Sequence, residues 1–272
     1  MKERRINFEL QSGAALALLI AILCLAGFFL PNDYNAMDGA KRFSPPGVSH
    51  FLGTDNFGRD VFYRLIAGAK YTLFVAIVTV AGSAAAGSAI GLLAGFAGGI
   101  WDEITMRIMD TFSSFPGILL ALVMVSLMEN TPFSLVIALL ILFIPGFTRI
   151  MRNGMLQQKD RDYVLSARIA GVSGSRIIFI HIFPNLLSPL LSASVLGLSN
   201  AILAESTMSY LGLGIQPPVP SWGRMLSESQ AYLLNAPWCA LAPGTIIMLT
   251  VLAFHYLGEG LKKQGPGIKS EG

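Results

Sequence analysis

Residues 71–100 read YTLFVAIVTVAGSAAAGSAIGLLAGFAGGI, a run from Tyr71 to Ile100 that holds no acidic or basic side chain. A helix rises about 1.5 Å per residue, so the roughly 20 apolar residues needed to cross a hydrocarbon layer of about 30 Å fit within it. Its small residues recur at Gly87, Gly91 and Gly95, four apart and therefore on one helical face. In lipid, burying Leu against Leu gains little, and small residues at this spacing let a second helix come close. The run is expected inside a bundle of membrane helices.

Outward from this run the chain keeps the same character. Of its 272 residues, 53% are hydrophobic and 13% charged, and the mean hydropathy is +0.61. That is too apolar for an ordinary soluble core. Further apolar runs cover about 11–30, 112–128 with Pro116 near the start, 132–148, 186–204 interrupted by Pro189, and 238–257. The expectation is an all-α polytopic membrane protein with six spans. The segment 31–70 is polar, with a turn at Pro45-Pro46-Gly47; a short charged link runs over 102–110; 149–185 is polar and basic; and 207–237 is rich in Gly and Pro. Three regions follow: an anchor with an extracytoplasmic segment (1–70), a core (71–260) and a tail (261–272).

Lys2, Arg4 and Arg5 precede the first run, and Phe28-Phe29-Leu30 close it without the small residues a signal-peptide cut requires. Leu23 before Cys24 also disfavours a lipoprotein signal, so the run is read as an uncleaved anchor. Cys24 and Cys239 lie in apolar runs, which supports neither a disulfide framework nor a thiolate metal site. No basic block interleaved with aromatics points to nucleic acid. With the N-terminus inside, the inner segments hold 13 of the 19 Lys and Arg residues, while Lys41, Arg42, Arg59, Arg64, Lys70 and Arg224 lie outside. Basic residues gather in cytoplasmic loops, so both termini and the 149–185 loop are expected in the cytoplasm. No internal repeat is visible, which disfavours a secondary transporter of two repeated halves.

Within that loop, residues 162–171 (DYVLSARIAG) read as a short helix. Asp162 suits its N-cap and Gly171 the left-handed position beyond its C-terminus. Ala167 and Gly171 lie four apart and would leave a bare strip for another protein. A second helix is expected from Ser173 or Ser175 to just before Pro184, because proline disfavours helix in the residue ahead of it. Two short helices with an exposed bend suit force transmission better than catalysis.

The pattern Ser166-Ala167-x3-Gly171-x9-His181-Ile182-Phe183-Pro184 resembles the cytoplasmic signature loop of ABC-importer permeases. The fuller run DYVLSARIAG with HIFPN at 181–185 resembles the dipeptide, oligopeptide and nickel branch. So do HFLGTDNFGRD at 50–60, DTFSSFP at 110–116, and SYLGLGIQPP at 209–218 followed by Ser221-Trp222-Gly223. The resemblance implies a type I permease fold in a bacterial cytoplasmic (inner) membrane, paired with a homologous second permease. Two ABC ATPase subunits would bind the ATP and Mg, and an extracytoplasmic binding protein would deliver substrate. It further implies that Asp162, Tyr163, Ser166, Ala167, Arg168, Gly171, His181, Pro184 and Asn185 form the ATPase-docking loop. Tyr210, Gly212 and Gly214 would belong to the outer gate. Two departures stand out: Leu165 replaces the glutamate of the broad signature, and Gly258-Glu259-Gly260-Leu261-Lys262-Lys263 lacks the Asp-Pro ending of the branch. Peptide is the preferred substrate, with nickel or another metal chelate as the alternative.

No other motif displaces this reading. Glu205 lies near the outer end of the fifth run, where it reads either as a group lining or gating the path or as an interfacial carboxylate reaching to water. His50, His181 and His255 are scattered, without a second ligand at a metal-binding spacing. Met124 and Met128 read as packing residues. Arg107 and Asp110, three apart, are placed to pair. The chain has neither G-x4-G-K-[ST] nor H-E-x-x-H. A stand-alone channel or secondary transporter would call for ionisable groups deep in several spans, and 71–100 has none.

Overall fold

The computed structural model describes residues 2–29, 32–129 and 131–264, and the regular elements among them are all helical. The main helices are α1 (Lys2–Phe29), α2 (Val61–Ala97), α3 (Gly99–Ser114), α4 (Gly117–Leu127) and α5 (Pro132–Gln158). They continue with α6 (Asp162–Ile169), α7 (Gly174–Arg176), α8 (Phe183–Tyr210), α9 (Trp222–Ser229) and α10 (Trp238–Gln264). By length and composition five helical stretches can cross a membrane, or six if the α3–α4 pair counts as one broken span.

The glycine face of α2 does what its spacing requires. A Cβ at Gly87 would lie 2.6 Å from Phe147 Cβ, one at Gly91 2.3 Å from the Thr148 carbonyl oxygen, and one at Gly95 3.0 Å from Met155 Cβ. Helices α2 and α5 therefore touch backbone to backbone, which only glycine permits. The Ser83 hydroxyl adds a hydrogen bond to the Leu140 carbonyl at 3.0 Å. The central core joins Leu73, Ala76 and Val80 of α2 to Phe147 of α5, Ile202 of α8 and Ile247 of α10. Helix α1 lies along α10, where a Cβ at Gly13 would stand 2.5 Å from the Leu257 backbone nitrogen. Gly258 and Gly260 let α10 approach Leu196 of α8 and Leu10 of α1, and Lys263 pairs with Glu9. The tail expected over 261–272 begins as the end of α10; 265–272 lies outside the described residues.

Several helix ends differ from expectation, and polar side chains explain most of them. Helix α2 starts at Val61 rather than Tyr71, because Asp60 caps it by accepting from the Phe62 and Tyr63 N–H groups. Helix α5 runs ten residues past Thr148 because its charges are paired. Arg149 donates to Asp110 at 2.8 Å, and Arg152 grips Asp102 at 2.5 and 2.6 Å. The third span is not one helix. Pro116 holds Phe115 in an extended conformation, the chain turns by 88° there, and the supposed charged link becomes α3. Arg107 pairs with Glu103, one turn behind it, rather than with Asp110.

At one end of the bundle, residues 34–60 and α9 form a cap around buried charge. Arg59 donates to Asp55 at 2.6 Å and to Glu228 at 3.1 Å, and Arg64 reaches the same two carboxylates at 3.5 and 3.1 Å. Arg64 is only 2% exposed. Asp55 also accepts from the N–H groups of Phe57 and Arg59, so both carboxylate oxygens are satisfied. Burial pushes the Tyr232 phenol above its ordinary range, and the nearby Asp55 and Glu228 carboxylates add to the shift.

Candidate functional site

The other end of the bundle is built around α6. Its inner face carries Val164 and Ala167, which share a core with Leu92 of α2, Met151 and Met155 of α5, and Ile178 and Leu186 beyond α7. Ala167 is thus buried against its own chain instead of forming a bare strip. Helical periodicity then turns Asp162, Leu165, Ser166 and Ile169 outward, at spacings of three and four. Ile169 is 88% exposed and Leu165 41%, an apolar pair on an otherwise polar protrusion.

Both ends of α6 are fixed. Asp162 is its first residue rather than its cap; Arg161 holds the cap position and makes no side-chain capping bond. An acid in the first turn still favours the helix dipole. At the other end Gly171 has φ +75°, its N–H donates to Arg168 and the Val172 N–H to Ala167, a Schellman closure that favours glycine. Nothing lies within 4 Å of a Cβ placed there. The Arg168 guanidinium stacks over Phe96 at 5.6 Å, and the same ring lies beneath Gly174. The Tyr163 hydroxyl donates to Gln158 at 2.9 Å and accepts from Asn185 at 3.2 Å, tying the end of α5 to the start of α8.

Beyond the bend the second helix starts after Ser173, as expected, but Pro184 does not end it. The segment Ile177–Ile182 is a π-helix, and the Phe183 N–H reaches back five residues to Ile178. A widened turn lets the chain absorb the N–H that Pro184 lacks. Pro184 then stands in the first turn of α8, where proline is tolerated. Gly174–Tyr210 is consequently one helical path long enough to cross a membrane. His181 sits in the π turn with Nδ1 3.2 Å from the Arg176 carbonyl.

Between α5 and α8 opens a cleft of about 1130 Å³. One wall is a stripe of α5 with Asn153, Gly154, Gln157 and Gln158; the other is a stripe of α8 with Asn185, Ser188, Pro189 and Ser192. Arg161, His181 and Lys262 also line it, and no carboxylate does. Pro189 interrupts no helix; it lies inside α8 and faces this cleft.

The residues expected at the gate, Glu205, Tyr210, Gly212 and Gly214, lie at the end of α8 and in the loop after it. Glu205 is 0% exposed, so within this chain it neither lines a path nor reaches water. Its carboxylate accepts from the Ser209 hydroxyl at 2.7 Å and the Ser206 hydroxyl at 3.4 Å. Ser209 in turn accepts from the Ile215 N–H, and a Cβ at Gly214 would stand 2.0 Å from Ser209 Oγ. Gly212, with φ +82°, closes α8 by the same Schellman arrangement as Gly171. Tyr210 is the last residue of α8. These groups lock the loop after α8 onto α9, where Trp222 donates to the Leu65 carbonyl at 2.9 Å.

Sequence reading missed the Ile169 side chain and the cleft. Both had a visible signal: 162, 165, 166 and 169 share a helical face, as do 153, 157 and 150. Of the scattered candidates, His50 pairs with Asp60 at 2.8 Å, His255 packs on Tyr256, and Met124 packs among the apolar residues between α4 and α5.

Residues 87–263 match the family described as binding-protein-dependent transport system inner membrane components. Among curated proteins, the chain is 37% identical over 258 residues to the dipeptide transport system permease protein DppC of Alkalihalophilus pseudofirmus, covering 93% of this chain and 85% of that one. The Haemophilus influenzae DppC is 36% identical, with 94% and 90% covered. The glutathione transport system permease protein GsiD of Pectobacterium atrosepticum is 38% identical, with 98% and 89% covered.

Proposed function

We infer the function from one premise: the chain belongs to the family of inner membrane components of binding-protein-dependent transport systems. It is a permease subunit of an ABC importer for peptides, the cargo that the names of its relatives share. A homologous permease completes the path, two ATPase subunits bind ATP and Mg and drive it, and an extracytoplasmic protein delivers the peptide. The chain sits in the bacterial inner membrane with both termini in the cytoplasm. Six spans follow, the bent α3–α4 pair being the third. Residues 1–70 form the anchor and outer segment, 71–260 the permease core, and 261–272 the cytoplasmic tail.

The observation that carries this reading is the exposed pair Leu165 and Ile169 on a helix braced at both ends. Leu165 and Ile169 share one face of α6, which is not among the stretches apolar enough to cross a membrane, and an apolar face of that kind fits a contact with protein rather than lipid. The helical path from Gly174 to Tyr210 begins just beyond the same bend. Displacement of α6 by an ATPase therefore reaches the membrane as movement of a whole helix, which shifts an equilibrium between two packed states. Leu165, where the broad signature has glutamate, makes the contact apolar.

Ile169→Asp tests it. The chain should still insert, because the side chain is 88% exposed, while capture of the ATPases and peptide uptake should fall at least tenfold. Uptake at the wild-type rate would remove α6 as the drive point. For the cargo, ATPase stimulation by the binding protein loaded with peptide should exceed that with a nickel chelate. Stimulation by the chelate alone would assign the chain to metal import.

A further inference from the structure

We propose that the cleft between α5 and α8 is a binding vestibule, formed by this chain alone, that holds a short peptide by its backbone and its free carboxylate. The proposal rests on the importer reading. A volume of about 1130 Å³ is somewhat above what small-ligand sites enclose, roughly 300–1,000 Å³, so a short peptide fits with water around it.

The chemistry of the walls is specific in kind and tolerant in detail. Asn153 and Gln157 project from α5 as exposed side chains lining the cleft, and each amide offers both a donor and an acceptor. Those are the groups a peptide backbone presents whatever its side chains. Across the cleft Ser188 supplies a hydroxyl, while that of Ser192 donates to the Ser188 carbonyl at 3.1 Å, and Pro189 lacks the N–H that would reach the Asn185 carbonyl, leaving that acceptor without its helical partner. Arg161 and Lys262 also line the cleft, the latter 3.7 Å from Glu259, with no acid among the lining residues. Opposite charges at a few ångströms attract even when partly solvated, so a free carboxylate is preferred over its amide, and a second ammonium gains nothing. The amides make the site indifferent to peptide sequence; the cations orient the peptide.

The test uses the assembled complex in inverted membrane vesicles, with Cys24 and Cys239 replaced by Ala. Ser188→Cys and, separately, Ile150→Cys place a thiol in the cleft, and Ser175→Cys places one on the exposed bend outside it. Excess dialanine should slow thiol labelling at both cleft positions at least threefold and leave Ser175→Cys unchanged. Dialanine amide should protect several-fold less, and adding Gln157→Leu should weaken protection by dialanine. Equal slowing at Ser175→Cys would mean a general conformational change and overturn the proposal, as would unprotected cleft thiols. Equal protection by acid and amide would overturn the carboxylate preference. Uptake of dialanine is measured separately: uptake without protection sinks the vestibule, whereas protection without uptake supports it and sinks the importer reading on which its biological role depends.

Discussion

The bundle ends its α8 path and its α6 helix with the same device, a Schellman glycine, Gly212 at one end of the molecule and Gly171 at the other. What surrounds each differs. Past Gly212 the chain folds back onto buried Glu205, Ser209 and Trp222, and the neighbouring cap encloses two arginines with two carboxylates. Around Gly171 the bend itself is exposed, and Leu165 and Ile169 just before it are turned outward. One end is organised around buried, paired charge, although Leu211 and Leu234 are exposed there too. The other leaves apolar groups for a second protein, and that asymmetry distinguishes a structural end from a drive end.

The largest expected effect comes from breaking the closed end. Arg64→Ala removes a nearly inaccessible guanidinium and leaves Asp55 and Glu228 underpaired. Arg59 still pairs with both carboxylates and Arg224 with Glu228, so what is lost is a set of hydrogen bonds to charged groups, each contributing about 1.5–3 kcal/mol. The solubilised chain should aggregate at a clearly lower temperature, read by size-exclusion after heating. An unchanged profile would mean that the cap is wetter or looser than its packing. The Ile169→Asp chain, heated in parallel, should match wild type.

Glycine substitutions sharpen the contrast with a single methyl group. Gly214→Ala drives a Cβ to 2.0 Å from Ser209 Oγ, so the hydroxyl that bonds Glu205 must move. A forced rearrangement of a packed site costs typically 1–3 kcal/mol. Gly171→Ala meets open space and pays only the left-handed backbone, roughly 1–2 kcal/mol, in a helix that can fray without unfolding the bundle. Gly214→Ala should therefore lower thermal stability, while Gly171→Ala should affect ATPase coupling first. The reverse ranking would erase the distinction between the ends.

How much of this was legible in the sequence depends on the length scale of the signal. The glycine face at 87, 91 and 95 declared the α2–α5 contact because its cause is local and repeated. Gly171 declared its turn for the same reason. Helix ends were harder. Arg149 and Arg152 look like the start of a polar loop until Asp110 and Asp102, some 40 and 50 positions away, are seen to pair with them. Pro184 looks like a stop because the π turn that accommodates it depends on packing against α5 and α6. Glu205 looked like a gate because composition shows an isolated acid in an apolar helix, whereas the hydroxyls that enclose it come from one turn onward and from Thr72 of α2. Long-range pairing, invisible to periodicity, decided the helix ends, while at Glu205 it adds Thr72 to hydroxyls close in sequence.

The smallest expected effect tests burial as the variable. Arg107 and Glu103 form an ion pair of good geometry at 2.7 Å near the open end, yet their side chains are 77% and 60% exposed. Water screens such a pair, and ordering two long side chains offsets most of what remains. Glu103→Gln should leave thermal stability and uptake within error of wild type, in low and in high salt, whereas Arg64→Ala fails in both. A Glu103→Gln loss comparable to that of Arg64→Ala would place α3 against something the isolated chain lacks. Its exposed Ile100, Trp101 and Ile104 would then belong to a covered surface, and the open end would extend beyond α6.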